Sequence, residues 1–140
     1  NIQGLLGDDH TRYYDSTVDY VSKLDADKTL VVGHSLGGGL AKIVGTKCGV
    51  PSIALSGPGI VEGVDKFGID LQDLNLLVTN IVPSHDAVPM LGTLGGSVHN
   101  LICEARRPDL CHQPLLTTCY LQQICDGKAG GRVSNCEFNY

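Results

Sequence analysis

Gly33-His34-Ser35-Leu36-Gly37 places a serine between two glycines, each two positions away. A serine hydroxyl is a weak nucleophile until a neighbouring base takes its proton. The G-x-S-x-G run is the pattern in which a strand turns sharply into a helix and leaves that hydroxyl exposed and strained. The glycines remove the side chains that would clash in so tight a turn. The helix then aims its N-terminus at the serine, where free amides and the dipole favour a developing oxyanion. Leu36 N–H is therefore expected to be one donor of an oxyanion hole. The competing reading is a glycine-rich turn that binds phosphate. Such turns carry G-x-G-x-x-G or a P-loop lysine, and neither occurs here.

An activated serine needs a base, and the base needs an acid to orient it. In strand-elbow-helix enzymes the chain order is serine, acid, histidine. Asp86 follows the apolar run Leu76–Val82 and so stands where a strand ends and sites gather. Asp65, Asp70 and Asp73 precede that run and fit poorly. The plainer reading of Asp86 is a turn residue beside proline. Three histidines lie downstream of the serine and are candidates for the base: His85, His99 and His112. His85 adjoins the acid and cannot easily fold back onto it. His99 opens an expected strand. His112 follows Cys111 in a loop that a disulfide would hold rigid, and rigidity matters for a general base. On chemistry alone His112 leads His99 modestly. His34 is expected to pack beside the elbow, and His10 to lie on the surface.

These residues need elements to hold them. Thr11–Leu24 has apolar residues near helical spacing and reads as an amphipathic helix. Thr29–Val32 is a short apolar, β-branched run, a strand buried on both faces as in a parallel sheet. Leu36–Lys47 follows as a helix, ended by Gly49 and Pro51. Ser52–Leu55, Leu76–Val82 and Val98–Cys103 are expected strands, Ser56–Gly59 a turn, and Thr117–Ile124 a helix. Gly63–Asp73 shows no clear pattern beyond one helical turn. The alternation predicts an α/β fold with a mostly parallel sheet.

The chain has 140 residues, which fits one domain. With 15 acidic and 10 basic residues and no Lys/Arg run, it offers no footprint for nucleic acid. No stretch reaches the roughly 18 apolar residues of a transmembrane segment. The first residues, NIQGLLGDDH, read as the middle of a domain, so the N-terminus is expected to lie upstream. Five of the six cysteines fall at 103, 111, 119, 125 and 136. This reads as a disulfide-rich C-terminal segment made in an oxidising compartment, which points to the secretory pathway. No Cys-x-x-Cys pair occurs, so no metal is expected. The expected pairs are Cys103 with Cys111 and Cys119 with Cys125. Cys48 is left as a free thiol, a partner for Cys136, or a partner for a segment elsewhere.

GHSLGGGLAKIVG, PSIALSGPG, IVPSHDAVP and the Cys-His pair before TTCYLQQIC together resemble the class 3 lipases, with the protist and fungal vacuolar branches as the nearest likeness. The resemblance runs from about Thr29 to Cys125. It implies an α/β-hydrolase core, of which residues 1–140 form the C-terminal portion as a single domain. It implies a Ser-His-Asp triad that cleaves ester bonds of lipids without a cofactor, and an extracellular or lysosomal/vacuolar setting. It carries the nucleophile onto Ser35, the acid onto Asp86 and the base onto His112. In such lipases a second oxyanion donor and several strands precede the elbow, whereas only 28 residues precede Thr29. The missing half is expected as a separate chain or as another protein partner. The alternatives are a non-catalytic lipase-like subunit and, more remotely, acyl transfer to an acceptor other than water.

Overall fold

The β-branched run after Lys28 forms strand β1, Val31–His34, and three more strands follow: β2 (Ser52–Leu55), β3 (Val78–Pro83) and β4 (Ser97–Leu101). In this computed structural model the described residues are 12–105, 107–124 and 136. The strands lie in the order β1-β2-β3-β4, and every neighbouring pair is parallel. Parallel neighbours need a crossover. Helix α2 (Leu36–Cys48) joins β1 to β2, and short helices α3 (Val64–Phe67) and α4 (Leu71–Leu77) lie between β2 and β3. Helix α1 (Asp15–Val21) precedes the sheet, and α5 (Pro108–Cys111) and α6 (Pro114–Ile124) follow it. This is the α/β architecture expected from the sequence.

Several boundaries shift for local reasons. The first helix is shorter than its apolar pattern, because Lys23 and Leu24 donate to carbonyls three residues back and tighten the end of the turn. Thr11 lies outside the described residues. The patternless stretch after Gly63 becomes two helices, the second started by the Asp70 carboxylate, which accepts from Gln72 N–H at 2.6 Å. That helix runs through Leu77, so the third strand begins at Val78 and not at Leu76. The last helix starts at Pro114, three residues early, since proline is pre-shaped for a first helical position. The four-residue helix α5 carried no sequence signal.

One face of the sheet is packed. Tyr14, Val21, Ile43, Val44, Phe67, Leu74 and Val78 form its buried core under α1, α2 and α4. Alternation turns Val32 to the other face, where it is 53% exposed. Among the described residues, no helix is long and apolar enough to cross a membrane.

Two disulfides stand near the C-terminus, Cys103–Cys111 and Cys119–Cys136. The first is the expected pair; the second corrects the expected Cys119–Cys125. Cys119 sits inside α6, which runs on to Ile124 and carries the chain about 7.5 Å away over those five residues, past ordinary disulfide reach. Cys125 itself lies outside the described residues. Cys48 is a free thiol on α2, and burial raises its pKa.

Lys42 is the unusual member of the core. It is wholly buried on α2, and its ammonium donates to Pro58 O at 2.8 Å. Burial lowers its pKa from 10.5 to about 8. The unfolded chain therefore holds this proton between about pH 8 and 10.5 while the folded chain has lost it. Stability rises with pH wherever the unfolded state binds more protons, so this residue's contribution should rise across that window. Urea midpoints of the parent minus those of Lys42→Met should increase from pH 8 to pH 10.5. A flat difference would show that the burial does not perturb the amine.

Candidate active site

Ser35 stands at the junction of β1 and α2 with φ 57° and ψ −125°, a region that side-chain-bearing residues rarely adopt. Of the two motif glycines, Gly33 makes the turn possible; the expected clash at Gly37 is absent, since a Cβ there would meet nothing within 4 Å, and the second close approach is at Gly38. A Cβ on Gly33 would lie 1.9 Å from Gly37 O, and one on Gly38 would lie 2.9 Å from Gly57 Cα. Hydrogen bonds then hold the turn. Ser35 N–H donates to Leu55 O at 2.9 Å, and Ser35 O accepts from Gly38 N–H at 2.9 Å. Leu36 opens α2, and its side chain is half exposed. Its N–H faces the open helix end, where the first amides have no carbonyl within the helix.

Asp86 closes a turn just beyond β3. Its N–H donates to Pro83 O at 3.3 Å, and the preceding His85 takes a positive φ of 67°. The Asp86 side chain is fully buried. One carboxylate oxygen accepts from Val88 N–H at 3.0 Å. Pro89 follows in a short 3₁₀ turn, Val88–Met90, so the two prolines fix both ends of the loop.

His112 ends α5 and reaches both. Its Nδ1 lies 3.0 Å from each Asp86 carboxylate oxygen, and its Nε2 lies 2.8 Å from Ser35 Oγ. A carboxylate only accepts, so Nδ1 carries the proton when the ring is neutral. Nε2 then has its lone pair free, and the Ser35 hydroxyl donates to it. The arrangement can draw a proton from serine onto an imidazole whose charge a buried carboxylate faces.

The remaining histidines take other places. His34 Nε2–H donates to the backbone carbonyl of His112 at 2.7 Å, and the two rings stand 4.8 Å apart. His85 Nδ1–H donates to Cys103 O at 3.3 Å. His99 is exposed on β4, in register with Ile81. His10 lies outside the described residues.

Ser84 was not singled out in the sequence. Its hydroxyl oxygen accepts from Cys103 N–H at 2.8 Å. With His85, it pins the turn that carries Asp86 to Cys103, and the disulfide carries that restraint to Cys111, next to His112. A serine in a proline-opened turn has no sequence signal for such a long-range contact. Among the described residues no cluster of His, Cys, Asp and Glu could hold a metal ion.

No protein-family model matches the chain. An alignment 54 residues long, which covers 34% of the chain, is 46% identical to a Debaryomyces hansenii protein named "Putative lipase ATG15". The match covers 9% of that protein, so the chain spans only a small part of its relative. Over that stretch the chain is similar to a protein that bears a lipase's name.

The Cys103–Cys111 link closes a loop of only 8 residues' separation. Replacing both cysteines by alanine should lower unfolding free energy by about 2–3 kcal/mol on the chain-entropy account. Urea titration of the double variant against the parent measures this. An unchanged midpoint would mean that hydrogen bonds to Ser84 and His85 hold the loop by themselves.

Proposed function

We propose that this chain carries the catalytic centre of a serine hydrolase that cleaves carboxylic ester bonds of lipids, acylglycerols or phospholipids. The observation that supports it most is the continuous hydrogen-bonded line from Ser35 Oγ through His112 to buried Asp86. Its three members come from segments up to 77 residues apart. The likeness of one stretch to a lipase supports the substrate class.

In this reading Ser35 Oγ attacks the ester carbonyl carbon as its proton passes to His112 Nε2. Asp86 faces the imidazolium that forms and keeps its Nδ1 proton in place. Leu36 N–H supplies one of the donors that meet the tetrahedral oxyanion. The C–O bond to the alcohol breaks, and His112 returns the proton to the departing oxygen. Water then attacks the acyl-serine with His112 again as base, releasing the acid and restoring Ser35. No cofactor enters. The disulfides fit an oxidising compartment, and we place the protein in the secretory pathway or a vacuolar lumen.

A second reading keeps the same fold without turnover, as the interaction subunit of a larger assembly. Exposed apolar residues at the β1 edge favour it: Leu30, just before β1, and Val32 are 52% and 53% exposed. Sheets of parallel strands are ordinarily covered on both faces. Both readings call for a covering layer, from the N-terminal half of a lipase-like domain or from another protein.

A fluorophosphonate probe decides between them. The parent chain should label at Ser35, and Ser35→Ala should abolish labelling. Asp86→Asn should keep the fold but lower ester turnover by about 10⁴-fold, since the imidazole loses the partner that sets its tautomer. Labelling that survives Ser35→Ala, or turnover indifferent to Asp86→Asn, would remove the triad from the mechanism.

A further inference from the structure

Pleating decides where His34 points. Gly33 faces α2 so closely that a Cβ there would meet Gly37 O. Successive strand residues alternate faces, so His34 turns to the opposite side of the sheet. That is the side on which α5 delivers His112. The last carbonyls of a helix have no partner within it. His112 is the C-terminal cap of α5, and its carbonyl is met by His34 Nε2 at 2.7 Å. A carbonyl only accepts, so His34 is held with its proton on Nε2. The rings lie 4.8 Å apart at an interplanar angle of 41°, close enough to limit rotation of the His112 ring.

We infer that His34 is a positioning residue for His112: its donor to the His112 carbonyl fixes the base relative to the elbow that carries Ser35. It does not touch the reacting atoms. Its Nε2 is occupied by the carbonyl, and Ser35 Oγ goes to His112. The contact joins two segments 78 residues apart, with the nucleophile next in chain to one partner and the base as the other. A shift of the elbow would thus carry the base with it. The opposite anchor of His112 is separate. It runs through Cys111, the disulfide and Cys103 to Ser84 and His85 beside Asp86. The base is held from the nucleophile side by His34 and from the acid side by the disulfide.

The kinetic part of this inference rests on the serine-hydrolase reading, so the test has two arms. The first compares His34→Gln, whose amide can still donate, with His34→Phe, whose ring cannot. His34→Leu replaces the latter if phenylalanine prevents folding. His34→Phe should lower kcat by about 10²-fold, the cost of an ångström-scale misplacement, with KM changed less than about twofold. His34→Gln should recover most of the loss. Equal losses in both variants, or no loss in His34→Phe, would overturn the inference. The second arm needs no turnover: the proton NMR resonance of His112 Nδ1–H held by Asp86. It should be present in the parent and His34→Gln and lost to solvent exchange in His34→Phe. Its undiminished presence in His34→Phe would overturn the inference whether or not the protein hydrolyses esters. A parent that neither labels nor turns over esters, yet shows the expected NMR pattern, would count against the hydrolase reading and uphold the role of His34.

Discussion

Everything at the candidate site depends on one backbone constraint, the positive φ of Ser35. A side-chain-bearing residue in such a sparsely populated region costs on the order of 1–3 kcal/mol and persists only when its surroundings over-determine it. Here they do. Ser35 N–H is tied to the end of β2, its carbonyl is tied into the first turn of α2, and glycines let α2 lie against β1 and the loop after β2. A larger residue at Gly33 would drive α2 off the sheet, and both the serine and the helix end would move with it. The elbow thus couples helix packing directly to the direction of one hydroxyl.

The same device recurs along the sheet. Ser35 N–H donates to Leu55 O, Ser56 N–H to Ile81 O and Ser84 N–H to Leu101 O, at 2.9, 2.9 and 2.8 Å. Each strand's exit is therefore bonded to the exit of its neighbour. Parallel register makes all four exits lie at one end, which is where loops meet in an open α/β sheet. Ser35 and Asp86 leave from the exits of β1 and β3, and His112 arrives from the segment beyond β4. The relative position of groups far apart in sequence reduces to strand register, one disulfide and a few side-chain bonds to backbone carbonyls and amides.

How much of this was readable in the sequence follows from how local each signal is. The elbow's signal is local, a β-branched run followed by Gly33–Gly38, so its strand, turn and helix could be read there, although Leu55 and Gly57 also hold it. Ser52–Leu55 stood out because proline and glycine punctuate it on both sides. Asp86 could be singled out because it follows an apolar run that reads as a strand, although the proline beside it also fits an ordinary turn. His112 and His99 were nearly level on chemistry, since what separates them is the chain path after β4, and that path is set by α5 and by contacts of Cys103 with Ser84 and His85. The Cys119 pairing failed for a related reason. Spacing along the chain ignores that α6 keeps its own next residues out of reach, while Cys136 is brought back to it.

The strained elbow and the two-sided hold on His112 belong to one argument. A hydrogen bond from serine to imidazole is short-ranged, and tenths of an ångström decide whether proton transfer accompanies attack. Ser35 cannot adjust, because its backbone is locked in a conformation with no soft neighbours. The whole tolerance must be met by His112, which caps a helix of only four residues beyond the sheet's last strand. So short an element has little stiffness of its own. The ring is consequently fixed from outside the helix: at Nδ1 by a buried carboxylate, at its carbonyl by His34, and through Cys111 by a covalent link. Cutting any one of these leaves the other two to hold a residue that its own helix cannot.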